Sequence, residues 1–260
     1  MDMKIIACGA SHLGNHRKHN EDNIYVDGSF RNDVTMNNTI IESRRSEEPY
    51  TYAVFDGLGG EACGEQASLI AALGLKAMED RGVAADEDEF VAAAHKTVLL
   101  EAVRKDARNM GTTAAVVHIR DGKAMIFNVG DSRVYLYRSG KLTQMSKDHS
   151  VVQSMIDCGF ITEEERYSSR HSGELTQYIG MDSDEGIDPD AYKTEVQLMQ
   201  GDVIMLCSDG LSGELRDDEI AAILEHDAER DVKFTVLDLI KSAVDKRGRD
   251  NISVVVCRVL

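Results

Sequence analysis

The segment TAAVVHIRDGKAMIFNV, residues 113–129, contains two apolar runs joined by Asp121-Gly122. An Asp-Gly pair between two such runs is a strong indicator of a tight β-hairpin, so the flanking strands should be antiparallel. A third apolar run, SRVYLYR at residues 132–138, follows at once and is closed by Ser139-Gly140. Strands that follow one another through hairpins argue against a parallel sheet in which strands and helices alternate.

Further strands and helices are predicted on both sides of this hairpin. Other strand-like runs occupy residues 4–10, 23–27, 38–41, 50–55, 191–198, 202–208 and 251–259. Helices are predicted within residues 61–80, 87–108, 148–160 and 216–246, whereas residues 161–190 are polar and irregular. The runs at 52–55 and 203–207 hardly alternate, which is typical of strands covered on both faces. We therefore expect an α+β fold of antiparallel sheets layered with helices, in one domain spanning residues 1–260.

The composition limits the partners that this chain can have. Lys and Arg number 29 against 46 Asp and Glu, and the net charge is −17. Such a charge repels nucleic-acid phosphates and anionic lipid, so we expect neither nucleic acid nor a membrane as a partner. No apolar run is long enough for a signal peptide or a membrane span. Five cysteines without CxxC spacing favour buried free thiols, and together these features predict a cytoplasmic protein.

Acidic residues stand at one end of five of the predicted strands. They are Asp56 after YAVF, Asp131 after IFNVG, Asp209 after VIMLCS, Asp250 before NISVVVC, and the pair Glu21 and Asp22 before NIYVD. If the strand order brings these ends together, the carboxylates repel one another unless a cation lies between them. Oxygen ligands of this kind suit Mg²⁺ or Mn²⁺. Gly57 fits this interpretation, because a residue without a Cβ can turn its carbonyl toward an ion held by Asp56. Taken singly, each aspartate is better explained as a turn or capping residue, whereas the set as a whole favours a cation site.

A second interpretation of the same region is a dinucleotide site. Residues 57–62 satisfy the pattern G-x-G-x-x-A between a predicted strand and a predicted helix, and Glu79 and Asp80 follow about twenty residues later. Asp56, however, would place a negative charge against the pyrophosphate, and the chain that follows lacks strand–helix–strand order. We therefore reject a nucleotide-binding oxidoreductase.

Six motifs, taken in order along the chain, resemble those of the metal-dependent, type-2C serine/threonine protein phosphatases in their compact bacterial form. They are RKHNED (17–22), VFDGLGG (54–60), GTTAAVV (111–117), NVGDSRVYLYRSGKLTQMSKDHS (128–150), LCSDGL (206–211) and DNISVVV (250–256). The resemblance implies a four-layer α-β-β-α sandwich, in which two antiparallel sheets are flanked by helix pairs. It also implies hydrolysis of phosphoserine and phosphothreonine in proteins by a metal-activated water, without a covalent enzyme intermediate.

The resemblance further implies a binuclear Mn²⁺ or Mg²⁺ centre with two tight sites. By position, Asp56 bridges the two metals, the Gly57 carbonyl joins one of them, and Asp209 and Asp250 hold the other. Asp131 matches a residue that, with Asp209, holds a weaker third metal in bacterial relatives.

Other matched positions imply roles beside the metals. Glu21 and Asp22 match acids that orient metal-bound waters, and Arg17 matches the arginine that grips the substrate phosphate. For Arg17 alone, a solvated arginine in the basic run HRKH is the competing interpretation. Residues 148–190 correspond to a variable flap. Many relatives have a histidine where this chain has Leu58, so the group that protonates the leaving oxygen stays unassigned.

The leading hypothesis is therefore a protein-serine/threonine phosphatase that acts as a monomer. Its expected substrates are phosphorylated proteins, among them a Ser/Thr kinase or the targets of one. The alternative is a catalytically weak or silent member of the same fold that binds phosphoproteins.

Overall fold

The computed structural model describes residues 3–45, 47–59, 63–82, 87–107, 109–182, 188–226 and 230–260. In chain order its strands are β1 (Ile5–His12), β2 (Asn23–Val26), β3 (Ser29–Phe30), β4 (Thr39–Ser43), β5 (Tyr50–Phe55), β6 (Gly57–Leu58), β7 (Gly111–Thr112), β8 (Ala114–Arg120), β9 (Lys123–Val129), β10 (Arg133–Arg138), β11 (Lys141–Gln144), β12 (Tyr192–Gln197), β13 (Val203–Cys207) and β14 (Ile252–Val259). Its helices are α1 (Gly64–Asp80), α2 (Glu87–Lys105), α3 (Val151–Asp157), α4 (Asp209–Ser212), α5 (Asp217–His226) and α6 (Val232–Lys246).

Most of the strands belong to two six-stranded sheets. The first has the order β11-β10-β13-β14-β1-β4 and the second the order β12-β9-β8-β5-β2-β3, while β6 and β7 form a separate ribbon. The named pairs in both sheets are antiparallel, as predicted. The predicted hairpin joins β8 to β9, and its turn residues Asp121 and Gly122 have φ of 53° and 69°. Positive φ at both positions is what a two-residue hairpin turn requires.

The two sheets pack face to face, and helices cover their outer faces. One apolar cluster combines strands of both sheets and includes Val54, Val117, Leu206 and Val255. A second cluster joins the second sheet to α1 and α2, and a third joins the first sheet to α4, α5 and α6. Each fully buried apolar side chain contributes about 1.5–3 kcal/mol relative to an exposed one. The four-layer α-β-β-α architecture is thus confirmed.

Strand β5 shows why its sequence does not alternate between apolar and polar residues. Tyr52 and Val54 belong to the cluster between the sheets, whereas Ala53 and Phe55 belong to the cluster under α1 and α2. Because both faces of the strand are covered, all of its residues are buried. Asp56 directly follows this buried strand and therefore lies where the chain leaves the interior, at the edge of the sheet.

The structure also corrects several predicted boundaries. Residues 148–160 contain a shorter helix, α3, which begins after Ser150, whose Oγ accepts a hydrogen bond from the Gln153 N–H. Strand β11 was not predicted, because its sequence KLTQ is polar and it lies at an edge of the first sheet. Within the described part of residues 161–190 the one helical element is a 3₁₀ turn, Glu165–Ser168. Residues 60–62, 108, 183–187 and 227–229 of the predicted elements and motifs lie outside the described residues.

None of the helices in the described ranges combines the length and apolarity needed to cross a bilayer. The interpretation of residues 1–260 as a single domain stays a prediction.

Candidate active site

The register of the first sheet brings three of the predicted acids to one edge. Arg133 at the start of β10 lies opposite Cys207 at the end of β13, and Cys207 lies opposite Val254 near the start of β14. Asp131, Asp209 and Asp250 each lie two residues beyond the end of their strand. Antiparallel pairing therefore places these three acids at the same edge of this sheet.

The second sheet contributes its acids at the corresponding edge. Asn23 at the start of β2 lies opposite Phe55 at the end of β5, so Asp22 and Asp56 are neighbours at that edge. The turn between β9 and β10 carries Asp131 from the second sheet to the first, and this joins the two sets.

The carboxylates interact with one another electrostatically. Burial raises the pKa of Asp56 well above its usual value, and the charges of Asp22, Asp209, Asp250 and Asp131 add to the increase. For Asp209, burial and then the charge of Asp250 raise the pKa to about 6. Burial disfavours the charged form of each carboxyl group, and the neighbouring negative charges add repulsion to that effect.

In this structure the side chains of these acids are not arranged as a set of metal ligands. Across the described ranges, no three His, Cys, Asp or Glu side chains are arranged closely enough to hold a metal ion. Asp56, Asp131, Asp209 and Asp250 are all partly exposed, so solvent and ions reach them. The donor set consists of oxygen atoms, the type that hard divalent cations prefer. The residues therefore fit such a cation in chemistry and in location.

Two threonines fix the backbone on either side of the Asp56 side chain. The Asp56 N–H donates to Thr113 Oγ1 at 2.9 Å, and the Asp56 carbonyl accepts from the Thr113 N–H at 2.9 Å and from Thr112 Oγ1 at 3.0 Å. Thr113 Oγ1 also lies 2.7 Å from Ser132 Oγ, next to Asp131. These hydroxyl groups belong to the motifs GTTAAVV and GDSR, but their role depends on contacts between distant segments and was not predicted.

Gly57 is required for a reason that the sequence did not indicate. A Cβ at this position would lie 2.3 Å from the Gly64 carbonyl oxygen and 2.4 Å from that of Glu21. The start of α1 and the loop before β2 therefore approach the Gly57 backbone too closely for any side chain. The predicted role of its carbonyl as a metal ligand stays a prediction.

Asp22 is the most deeply buried acid of the set, with 1% of its surface exposed. Its Oδ2 accepts a hydrogen bond from Ser208 Oγ at 2.8 Å, whereas its Oδ1 has no partner among the described residues. Burial raises its pKa to about 7, and a hydrogen bond from Ser253 opposes the increase. A buried carboxylate oxygen without a donor is costly, so this atom is suited to bind a water or ion beside the site.

Glu21 lies beside the start of α1 and Asn251, and its predicted role in orienting metal-bound waters stays a prediction. Its backbone N–H donates to Asn251 Oδ1 at 2.8 Å, and burial raises the pKa of its carboxyl group, an increase that the Arg17 charge and the Gly64 N–H oppose. The Asn251 amide also donates to the carbonyls of Leu13 and His19 at 2.8 and 3.1 Å. Asn251 therefore holds the loop that carries both Arg17 and Glu21, a role not assigned from the sequence.

Arg17 reaches the acid cluster from this loop. Its Nη2 donates to Asp250 Oδ2 at 2.6 Å, although 47% of its side chain stays exposed. This hydrogen bond raises the pKa of Arg17, and the charges of Glu21 and Asp56 add to the effect. Arg17 is therefore directed at the cluster, as a phosphate-binding arginine should be.

An open cavity of about 630 Å³ lies against the cluster. Its lining includes Arg17, Asp131, Asp209 and Asp250, together with Arg166 and Tyr167 of the predicted flap. Of the three histidines near the first motif, His16 alone lines it. The cavity thus connects the acids to the flap.

A buried ion network forms the wall between cavity and flap. Asp148 accepts hydrogen bonds from Arg133 Nη2 at 2.7 Å and from Arg166 Nη1 at 2.9 Å, and its side chain is 3% exposed. Gln144 Nε2 donates to the same carboxylate at 2.8 Å. The flap is therefore anchored to β10, two residues from Asp131. Residues 148–160 were predicted to be helical, so the role of Asp148 as the partner of two arginines was not predicted.

Comparison with known proteins agrees with this arrangement of strands and acids. The sequence profile of the family described as Protein phosphatase 2C matches residues 6–154, more than half of the chain. The chain belongs to this family. The family resemblance predicted from the six motifs is thus confirmed.

Members of the family that resemble this chain come from bacteria. The serine/threonine protein phosphatase PstP of Mycobacterium tuberculosis is 32% identical over 80% of this chain, which spans 40% of the length of that relative. The serine/threonine phosphatase stp of Listeria monocytogenes is 29% identical over 93% of this chain and 90% of its own length.

Solved structures of the family share the fold. The crystal structure of the M. tuberculosis PstP/Ppp superposes with a TM-score of 0.81 at 29% identity, covering 98% of both chains. A second structure, of the PstP catalytic domain in complex with two manganese ions, superposes with a TM-score of 0.80 at 28% identity, covering 99% of both chains.

Proposed function

We propose that this protein hydrolyses phosphoserine and phosphothreonine in proteins with the help of two divalent cations, Mn²⁺ or Mg²⁺. The observation that carries the proposal is the convergence of five acids from both sheets beside an arginine and an open cavity. Membership of the protein phosphatase 2C family and the two manganese ions in the PstP structure support it.

In this proposal the acids divide between two cations. Asp56 would lie between them, with the Gly57 carbonyl on one and Asp209 and Asp250 on the other. Asp131 would hold a weaker third cation with Asp209. When bound, the two principal cations lower the pKa of a water molecule and neutralise the oxygens of the phosphate that it attacks.

The chain itself binds and orients the substrate. Arg17 presents a planar fork of donors to the phosphate, and its bond to Asp250 fixes that fork beside the acids. Asp22 and Glu21 orient water at the inner side of the cluster. None of the five cysteines lines the cavity, and burial raises the pKa of Cys207 to about 12, so a thiolate nucleophile is not required.

The proposal also covers the partners and the setting of the enzyme. The expected substrates are phosphorylated proteins, including a Ser/Thr kinase or its targets, and the expected state is a cytoplasmic monomer. The net charge of −17 supports the exclusion of nucleic acid and anionic membranes as partners.

Release of phosphate from a phosphothreonine peptide tests the activity. We expect turnover with Mn²⁺ or Mg²⁺ and none in EDTA, and we expect Asp56→Asn and Asp209→Asn each to lose at least ~10³-fold, on the scale of losing a principal electrostatic stabiliser. Asp218→Asn, which changes an exposed carboxylate outside the cavity, serves as the control. Full activity in EDTA would refute the metal requirement. Peptide binding without turnover in the metal-loaded protein would instead identify a silent phosphoprotein-binding member.

A further inference from the structure

The cavity is larger than a phosphorylated side chain needs. Its volume of about 630 Å³ lies within the range of pockets that enclose whole small molecules. Apart from the predicted metal ligands, its charged lining consists of Arg17, Arg133, Arg166 and Arg249 against Asp148 and Glu214. The wall is therefore cationic, although the whole chain carries a net charge of −17.

Arg249 is the most available of these arginines. Arg133 and Arg166 both form ion pairs with the buried Asp148, and their side chains are 8% and 11% exposed. Arg249 is 60% exposed, and only its Nε is engaged, donating to Glu214 Oε1 at 3.0 Å. No other hydrogen-bond partner of its side chain occurs in the described part of the chain. Its two terminal NH₂ groups are therefore free to bind a ligand.

The backbone around Arg249 is tightly packed, and one hydrogen bond orients its side chain. Glu214, which is 5% exposed, holds the guanidinium, and the neighbouring Gly248 carbonyl accepts a hydrogen bond from the Asn15 N–H at 2.7 Å. A Cβ on Gly14 would lie 2.1 Å from the Asp250 carbonyl oxygen, so this loop packs tightly against residues 248–250. A charge fixed in place before binding loses little conformational entropy when a ligand arrives.

We propose that Arg249 is a specificity-determining residue that binds an acidic side chain adjacent to the phosphorylated residue of the substrate. Arg17 and Arg249 line the same cavity, and Asp250, the partner of Arg17, directly follows Arg249 in the chain. A substrate whose phosphate is held at Arg17 thus extends its neighbouring residues along the wall that Arg249 forms. A Glu or Asp there pairs with the free guanidinium, whereas a Lys or Arg is repelled.

The chain offers a matched control for this residue. Arg247 pairs with the same Glu214, at 3.8 Å, and is 66% exposed, but it does not line the cavity. Removing either arginine takes one positive charge from the surface and one partner from Glu214. Only Arg249, however, should change the choice of substrate.

The inference rests on the proposed function and is tested by competition between phosphopeptides. Peptides with a central phosphothreonine carry one Glu, or its neutral isostere Gln, at each of the three positions on either side. We expect the wild-type protein to favour Glu over Gln at one or two positions by about two- to tenfold in kcat/KM, the range of an exposed ion pair with a charge-assisted hydrogen bond. Arg249→Gln should abolish this preference, and Arg247→Gln should keep it.

A charge reversal makes the test independent of any loss of folding. Arg249→Glu should favour Lys-flanked peptides at the same positions, a gain that a damaged protein cannot produce. Equal turnover of Glu and Gln peptides by the wild type, or equal losses of preference in the Arg247 and Arg249 variants, would overturn the inference and leave the phosphatase activity standing. A wild-type protein that releases no phosphate from any peptide would overturn the proposed function, and this inference with it.

Discussion

The Nη2 atom of Arg17 lies 2.6 Å from the Oδ2 atom of Asp250, so the predicted phosphate-binding residue and a predicted metal ligand form one unit. In the proposed complex, the substrate phosphate and Asp250 therefore accept hydrogen bonds from the same guanidinium group.

Arg17→Ala should raise the KM for a phosphothreonine peptide by roughly tenfold or more while lowering kcat less. The expected cause is that a group binding ground state and transition state alike acts mainly on KM. Arg44→Ala is the control, because Arg44 forms an ion pair of similar exposure with Asp231 at 2.5 Å, well away from the cavity lining. An unchanged KM in Arg17→Ala would show that Arg17 is a solvated surface residue and does not bind the phosphate.

Asp131→Ala should leave the two principal cations bound while lowering turnover and raising the metal concentration needed for half-maximal activity. Asp131 lies in the turn between the sheets, where burial and then the charges of Asp209 and Asp148 raise its pKa, and Arg133 opposes the increase. Titration calorimetry with Mn²⁺ measures the number of tight sites directly. Loss of both tight sites would make Asp131 a ligand of the principal centre and refute its assignment to a third cation.

Asp148→Asn should destabilise the protein by about 3–5 kcal/mol, because it leaves the buried guanidinium of Arg133 without its counter-charge and leaves that of Arg166 with Glu163 alone. Urea unfolding of the metal-free protein measures this free energy. Asp157→Asn breaks the exposed ion pair of Asp157 with Lys147 and should cost no more than about 1 kcal/mol. Similar losses in both variants would show that the network around Asp148 is solvated.

In the metal-free protein, the contribution of Asp209 and Asp22 to the free energy of unfolding should fall as the pH rises from about 4 to about 7. Asp209 has a pKa of about 6 in the folded chain against 3.8 in the unfolded chain, and Asp22 has a pKa of about 7. Because the folded state holds these protons more tightly, the stability present below pH 3.8 is lost as the pH rises through the folded-state values.

Denaturant unfolding in EDTA across this pH range checks the slope. Asp209→Asn should flatten the lower part of the curve, since an amide does not titrate. Parallel pH curves of the wild type and of Asp209→Asn between pH 4 and pH 7 would contradict the raised pKa of Asp209.

Leu58→His should raise the turnover of a phosphoserine peptide more than that of p-nitrophenyl phosphate. Leu58 lies in the ribbon of β6 and β7, opposite Gly111, and leucine has no proton to donate. A serine alkoxide needs a proton as it leaves whereas nitrophenolate does not, and general acid catalysis contributes roughly 10²–10⁴-fold where it is needed. Equal changes on both substrates would show that another group already supplies the proton. His16→Gln then checks the one neighbouring histidine that lines the cavity.

The positions of the aspartates were predictable because each follows or precedes a strand whose apolar sequence is unmistakable. Strand register then determines which ends meet, and for Asp56, Asp131, Asp209 and Asp250 this follows from antiparallel pairing alone. Local sequence was enough here because hydrophobic burial fixes the strands.

Features that depend on contacts between distant segments were not predictable. Asp148 accepts hydrogen bonds from arginines fifteen residues before it and eighteen after it, and nothing local distinguishes it from a solvated aspartate. Strand β11 was missed because an edge strand needs little apolar sequence. For Gly57, the sequence showed that a glycine was needed, but only the approach of Gly64 and Glu21 shows why.

The contact between Asn251 and the Glu21 N–H can form only near the end of the synthesis of this protein. The two residues are 230 positions apart, and at about 5–20 residues per second the ribosome takes roughly 10–50 s to travel between them. During that interval β1 has no β14 beside it, and the loop bearing Arg17 has no Asn251 to hold it. A nascent chain therefore carries five of its six strand-end acids for some time before it can assemble them, and ribosome-bound chains stalled before residue 250 should be inactive.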